Sequence, residues 1–337
     1  MSTLLITGVH STLGRGVARQ AAALGYRVIG VDRKFALQAL TGIEFVQTDV
    51  NNPLIGQLMK AEGVEVLFHS AFRWRVRPTP ETFENNVVGT TKLLEAAAAA
   101  GVQKIVFPSS TLVYGAHPAH PYLIPEDAPF RGPSTYGYIR DLRDIEIFLR
   151  GFRQQHPEMT ITVLRFANIL GHGYRSPLAR YLTLPLLPVI QNADPLLQVL
   201  HFDDAVQAIL QAVAADHHGV YNVAGSPPLT LLTMIQRLGR RVIPLPESLI
   251  HTDQNLVTAL ARPAFLPMPW DCLRYSWAVS IRKICETWGF MPTRAAGDAL
   301  DDFAHSLESI SPSRALTHSL NAGRRTFRAM VASLRKA

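Results

Sequence analysis

The chain has 337 residues, 47% of them hydrophobic and 18% charged, and 33 basic against 26 acidic side chains give a net charge of +7. This is the composition of a soluble globular protein with length for one large or two medium domains and a sizeable core, and it excludes a disordered chain. No apolar run approaches the ~20 residues of a membrane span, no basic stretch precedes an apolar leader, and Cys272 and Cys285 make neither a disulfide framework nor a metal-ligand cluster. The sequence therefore predicts no integral membrane segment, no cleaved leader and a reducing, cytoplasmic setting.

The charge is uneven. Arg314, Arg324, Arg325, Arg328, Arg335 and Lys336 lie in residues 312–337, which hold no acid, so +7 less these six leaves +1 for the remainder. The basic character belongs to a tail, and binding to nucleic acid is not expected.

Strands and helices alternate from the start. Leu4–Thr7 predicts a first strand, Leu13–Leu24 a helix stopped by Gly25, and Arg27–Val31 a second strand closing on Asp32. Glu44–Gln47 follows as a strand, Pro53–Ala61 as a short helix and Val64–Phe68 as a strand. A long Ala- and Leu-rich helix over Glu81–Ala100 is stopped by Gly101. Lys104–Pro108, a helix over Tyr136–Gln155 and a strand over Thr160–Phe166 complete the series. Apolar strands separated by helices predict a parallel sheet covered on both faces, an α/β, Rossmann-type doubly wound fold.

After residue 170 prolines multiply, and the pattern returns only in a helix over Asp203–Ala214 and a strand over Val220–Val223. The expected organisation is a dinucleotide-binding domain over 1–170, with a return segment at about 201–225. A smaller, partly helical C-terminal substrate-binding lobe takes 171–200 and 226–310, and a basic C-terminal helix or tail takes 311–337. Leu316, Leu320, Phe327, Met330, Val331 and Leu334 fall at near-helical spacing in that tail. Packing on the protein's own surface is the commoner outcome for such a stripe, an anionic membrane or partner the alternative.

The chemistry begins in the turn after the first strand. Gly8, Ser11 and Gly14 stand between strand and helix, where backbone N–H groups and the positive helix end face an anion, and Asp32 follows about twenty residues on. Serine in the middle position adds a Cβ where a positive φ is sometimes needed, and offers a hydroxyl to a phosphate oxygen. Asp32 suits the two ribose hydroxyls of NAD, whereas the cations Arg33 and Lys34 leave NADP as the alternative. Later, Pro108-Ser109-Ser110-Thr111-Leu112-Val113-Tyr114-Gly115 follows the fifth strand and Tyr136 and Arg140 share a face of the next helix. A phenol titrates near pH ~10, so acid–base work at neutral pH asks for a nearby cation, and a serine hydroxyl could hold the substrate oxygen.

These segments, with Asp49-Val50, His69-Ser70-Ala71, Asn86-Val87-Val88-Gly89-Thr90, Leu164 to Gly171, His201-Phe202-Asp203-Asp204-Ala205 and Val220-Tyr221-Asn222-Val223, make residues 3–300 resemble the extended short-chain dehydrogenase/reductases. Within them the likeness is to the NAD-dependent epimerase/dehydratase group. The resemblance implies an NAD(P)-dependent oxidoreductase, epimerase or dehydratase acting on a sugar-like or other hydroxyl/carbonyl substrate. Ser110, Tyr136 and Arg140 would be catalytic. Gly8, Ser11, Thr12, Leu13 and Gly14 would hold the cofactor, together with Asp32, Arg33, Asp49 and Val50. Ser70, Ala71 and Pro108, with Tyr136 and Arg140, would complete that groove. Ser110, Thr111 and Asn168 would meet the substrate, with a structural amide as the competing role for Asn168. A homodimer through the helices at Glu81–Ala100 and Tyr136–Gln155 is the family expectation.

Two departures bear on function. Arg140 stands where the family has lysine, and the two are not interchangeable; the alternative function is a catalytically weak NAD(P)-binding sensor or scaffold. Leu197 occupies the place of an arginine that grips the diphosphate of nucleotide sugars. Arg73 and Arg75, in Phe72-Arg73-Trp74-Arg75-Val76-Arg77, are the candidate replacements for an anionic or ring-bearing substrate. A solvated edge with arginines covering the tryptophan is an equal reading. His10 and His69 read as packing histidines, while His117, His120, His172, His217 and His218 show no metal spacing, so no metal is expected.

Overall fold

The structure is a computed structural model that describes residues 2–35, 41–184, 186–247 and 266–308. The basic tail and part of the expected lobe lie outside the described residues. β1 (Thr3–Thr7), β2 (Arg27–Asp32), β3 (Ile43–Gln47), β4 (Val66–His69), β5 (Lys104–Ser110), β6 (Thr160–Phe166) and β7 (Gly219–Val223) form one sheet. Its order is β7-β6-β5-β4-β1-β2-β3, and every pairing is parallel.

Successive side chains of a strand point to opposite faces, and β1 shows it directly. Leu5 joins the core beneath α2 (Ile55–Ala61), α3 (Gly89–Ala100) and α4 (Gly137–Gln155), with Met59, Leu93 and Leu142. Leu4 and Ile6 join the opposite core beneath α1 (Thr12–Ala23) and α5 (Phe202–Ala214), with Val17 and Val206. With both faces covered, water is excluded from the sheet, and ligand access is left to the strand ends. The order reverses at β1, since the chain runs outward to β3 and then crosses back to β4; the carboxyl end of β1 is therefore the crevice where such sheets bind ligands.

The expected elements are present, most with ends shifted by a residue or two. One differs in kind. The run expected as a single helix over Glu81–Ala100 is a short helical turn at Pro80–Phe83, a π-helical turn at Glu84–Val88, and then α3. The π-turn aims Asn86 inward. Its Oδ1 accepts from Arg73 N at 2.8 Å, and its Nδ2 donates to Arg73 O at 3.1 Å and to Asp141 Oδ2 at 2.8 Å. Such turns are uncommon and cluster at functional sites. The Ala–Leu periodicity carries no sign of the inserted residue, because the partners of Asn86 are remote in sequence.

Beyond residue 167 the chain builds more strand than the sequence suggests. Asn168–Leu170 pairs with Val199–His201, Leu196–Leu197 with Leu229–Thr230, and Leu187–Ile190 with Val242–Leu245. Each strand is too short to give a period-2 signal. Leu197 is fully buried in one of these ribbons, so that position belongs to the core.

Candidate active site

The turn after β1 is shaped by contacts only glycine allows. Gly8 has a φ of +68°, and a Cβ there would lie 2.8 Å from both Ala71 Cα and Ala71 N. A Cβ on Gly14 would run into the Gly8 carbonyl. Ser11 needs no such freedom: its φ is −65°, and its Oγ accepts from Gly14 N at 2.9 Å, capping α1. The expected strain at this serine is absent; its hydroxyl takes the N-cap role, which serine fills well. The N–H groups of Thr12 and Leu13, the first two of α1, have no intrahelical carbonyl to bond and face outward from the helix end.

Two cavities adjoin this turn. The smaller, about 220 Å³, is lined by Gly8, Ser11, Asp32, Arg33, Lys34, Asp49, Val50, Ser70, Ala71 and Arg73 among others. The Asp32 carboxylate at its edge accepts from His10 N at 3.2 Å and Lys34 N at 3.1 Å, which fixes its orientation. Asn85 and Asn86 of the π-turn also reach this cavity. The larger, about 480 Å³, shares Ser11 and Ser70 with it and takes in Thr12, Leu13, Pro108, Ser110 and Asn168. Its far wall is Tyr174, Arg175, Ser176, Pro177 and Arg180, and its near wall includes Phe72 and Trp74.

Most residues singled out from the sequence thus meet at one place, the carboxyl ends of β1, β4 and β5. Ser110 caps a short 3-10 turn, its Oγ accepting from Leu112 N at 3.2 Å. Asn168 lines the cavity while its Nδ2 donates to Gln198 O at 3.1 Å, so it holds the loop and borders the site together. Ser70 Oγ donates to Thr7 O at 2.9 Å, tying β4 to β1.

Four residues are not brought to either cavity. The Tyr136 hydroxyl donates to Met268 O at 3.0 Å, and burial, with Cys272 and Asp271 adding to it, pushes the phenol well above its ordinary range. The Arg140 guanidinium forks onto Asp141 Oδ1, Nε at 2.9 Å and Nη2 at 2.7 Å, and lies over the Phe83 ring. Thr111 is buried behind Ser110. Arg75 is exposed, its carbonyl accepting from Tyr138 N at 3.0 Å. Arg73 does border the smaller cavity, where its Nη1 pairs with Glu81 Oε1 at 2.6 Å.

The sequence reading missed Tyr174, Arg175, Ser176 and Arg180. A signal was there: Ser176-Pro177 is an N-cap followed by proline at the first helical position, and it opens the helix Pro177–Leu182, with Ser176 Oγ accepting from Ala179 N at 3.1 Å. Arg175 and Arg180 are exposed and make no ion pair among the described residues.

Beside the cavities, His69 is sealed in a chain of side chains, Nδ1 2.6 Å from Thr7 Oγ1 and Nε2 2.8 Å from Thr90 Oγ1; burial lowers its pKa to about 4. His10 packs its ring 4.8 Å from that of Phe45. Another cleft, about 380 Å³, lies by β6 and β7 around the buried Glu146–Arg165 pair, three strands from the glycine turn.

A model of the family described as "NAD dependent epimerase/dehydratase family" matches residues 4–224. An uncharacterized protein of Mycobacterium tuberculosis is 31% identical over 310 residues, covering 89% of this chain and 82% of its own. A UDP-glucose 4-epimerase of Yersinia pestis is 30% identical over 184 residues, half of this chain and 53% of its own. Among solved structures, dTDP-glucose 4,6-dehydratase of Bacillus anthracis in complex with NAD has a TM-score of 0.71 at 17% identity, covering 92% of this chain and 98% of that one. UDP-glucose 4-epimerase of Thermus thermophilus in complex with NAD has a TM-score of 0.68 at 20% identity, covering 89% and 98%.

Proposed function

This chain belongs to the NAD dependent epimerase/dehydratase family, which makes it an NAD-dependent epimerase/dehydratase-like enzyme, and from that premise we propose that it oxidises or reduces a hydroxyl or carbonyl carbon of a sugar-like substrate in the larger cavity. The turn after β1 fits the dinucleotide: a Cβ at position 8 or 14 would collide with the backbone that shapes the turn, and the open N–H groups of Thr12 and Leu13 suit a pyrophosphate. Asp32 would take the adenosine ribose, with Asp49 and Val50 beside the adenine. NAD, when bound, accepts or returns a hydride at its nicotinamide ring.

The rest of the chemistry falls to the chain. The Ser110 hydroxyl would orient the reacting oxygen, and Asn168 would contact the substrate from the opposite wall. Tyr136 would hold the proton at its phenol oxygen; because burial raises its pKa, the phenol is the protonated, donating form at neutral pH, and it must exchange the Met268 carbonyl for the substrate oxygen to act. Phe72 and Trp74 supply an apolar wall suited to a sugar face. Arg175 and Arg180 would grip an anionic group, a role that Leu197 cannot take. In this reading residues 1–170 with the segment at 201–225 carry the cofactor, the lobe over 171–200 and 226–310 carries the substrate, and two copies pair through α3 and α4.

The observation that carries the proposal is the sharing of Ser11 and Ser70 by the two cavities, which sets a substrate space beside the dinucleotide turn. The test is NADH consumption with carbonyl sugars and NADH formation with sugars and sugar phosphates, with Tyr136→Phe beside the wild type. Loss of at least a hundredfold in turnover is expected; a variant as active as wild type overturns the assignment of Tyr136.

A second reading, a cofactor-holding protein of low turnover serving as sensor or scaffold, is favoured by one observation: Tyr136 and Arg140 bond to Met268 and Asp141 and not to each other. Arg140→Lys separates the two. A large gain in turnover supports the enzyme, whereas NAD binding without turnover in either form supports the scaffold.

A further inference from the structure

The loop that forms the far wall of the larger cavity begins with Gly171, His172 and Gly173, all at positive φ: +101°, +46° and +70°. Only a few per cent of non-glycine residues sit there. The conformation turns the exposed His172 back over α5, its ring 5.3 Å from that of Phe202 and 5.9 Å from that of His201. Two histidines remote in sequence are thereby brought to one carboxylate. His172 Nε2 is 3.2 Å from Asp203 Oδ1, and His201 Nδ1 is 3.6 Å from Asp203 Oδ2.

We propose that His172, His201 and Asp203 form a zinc-binding site. Ligand atoms of the three lie within 4.8 Å of one another. A zinc ion with bonds of about 2.0–2.2 Å needs neighbouring ligand atoms roughly 3.3–3.5 Å apart in a tetrahedron; His172 Nε2 lies close to that spacing from Asp203 Oδ1, and His201 Nδ1 comes near the other oxygen, Oδ2, so the carboxylate stands between the two rings. The donor set of two imidazoles and one carboxylate suits zinc over the hard cations, which prefer oxygen throughout.

The protonation of His201 also fits. Its Nδ1 accepts from Asp203 N at 3.1 Å, so the ring proton is on Nε2, donated to Asp302 Oδ2 at 2.7 Å. A histidine whose far nitrogen is held by a carboxylate presents the other nitrogen's lone pair to a metal in a fixed direction. The metal would take the lone pair that now serves the helix cap. His201 is buried, while His172 and Asp203 are half open to solvent, which leaves an entry path and a fourth position for water. Zinc here would fasten the loop bearing Gly173, Tyr174 and Arg175 to the start of α5. The inference does not depend on the reaction assigned to the cavity.

The test titrates the full-length protein with Zn²⁺ against a chromophoric chelator, and with Co²⁺, whose visible absorption reports a tetrahedral nitrogen–oxygen site. One equivalent is expected to bind, with affinity reduced at least tenfold in His172→Ala and in Asp203→Asn. Asp302→Asn, which removes the carboxylate that holds the His201 ring, is expected to weaken it about tenfold. His172 is exposed, so His172→Ala should keep the wild-type circular dichroism and melting temperature without metal. His117→Ala, His120→Ala and Cys285→Ser should bind as wild type does. Unchanged affinity in His172→Ala and Asp203→Asn, loss of binding in the control variants instead, or no stoichiometric binding by the wild type, would overturn the proposal.

Discussion

Replacing Gly8 by alanine tests the reading of the dinucleotide turn most directly. Two costs follow from the structure. At a φ of +68° an L-residue is disfavoured by about 1–2 kcal/mol. The added Cβ would also lie 2.8 Å from Ala71 Cα and N and 2.9 Å from Ser70 C, all backbone atoms with no rotamer to yield. Forcing such a contact costs a further ~1–3 kcal/mol, so Gly8→Ala should destabilise by about 2–5 kcal/mol. Gly25 is the matched control: its φ is +90° and nothing lies within 4 Å of a Cβ there, so Gly25→Ala keeps only the first term. Urea unfolding gives the difference between the two, and NAD titration followed by protein fluorescence gives the local consequence. Pushing Ser70 and Ala71 outward distorts the boundary of both cavities, so Gly8→Ala should bind NAD more weakly while Gly25→Ala binds as wild type. If the two variants are equally stable and bind NAD equally well, the close approach of β4 to the turn is not what shapes the site.

Two other predictions concern the buried polar groups. With the His69 pKa lowered from 6.5 to about 4 by burial, the unfolded chain takes up a proton before the folded one does, so its contribution is present above pH 6.5 and lost as pH falls toward 4. At 1.36 kcal/mol per unit this is ~3 kcal/mol, and urea midpoints across that window should fall less steeply in His69→Gln; equal slopes would remove His69 as the cause. Glu146→Gln would leave Arg165, whose side chain is 3% exposed, without the carboxylate that now meets its Nε and Nη2. A loss of about 3–5 kcal/mol is expected in chemical denaturation, against roughly 1 kcal/mol for Ser109→Ala, which removes one hydrogen bond to the same carboxylate.

Much of the fold was legible because it rests on local chemistry. The apolar runs of β1, β4 and β5 read as buried parallel strands, Gly25 and Gly101 end α1 and α3 in the sequence as in the structure, and Asp32 closes β2. The strands at Leu196–Leu197 and Leu229–Thr230 were not legible, since two residues give no periodicity and their pairing joins segments far apart in the chain. The π-turn at Glu84–Val88 was hidden for a related reason: hydrogen bonds to Arg73 and Asp141 stabilise it, and neither residue is near it in sequence.

At the site the same division holds. By itself the sequence determined where the glycine turn lies and most of the residues that border the cavities beside it, because a strand end, a glycine and a helix start are consecutive and carry their own geometry. Side-chain destinations were decided only by tertiary structure. Tyr136 and Arg140 share a helix face in sequence, yet Met268 and Asp141 claim them; Arg175 and Arg180 were missed in the sequence, yet they wall the larger cavity. His172 showed no metal spacing along the chain, and the left-handed turn at 171–173 folds it over His201. A periodic pattern fixes which face a residue takes, whereas the group it meets there is set by segments that arrive from elsewhere in the chain.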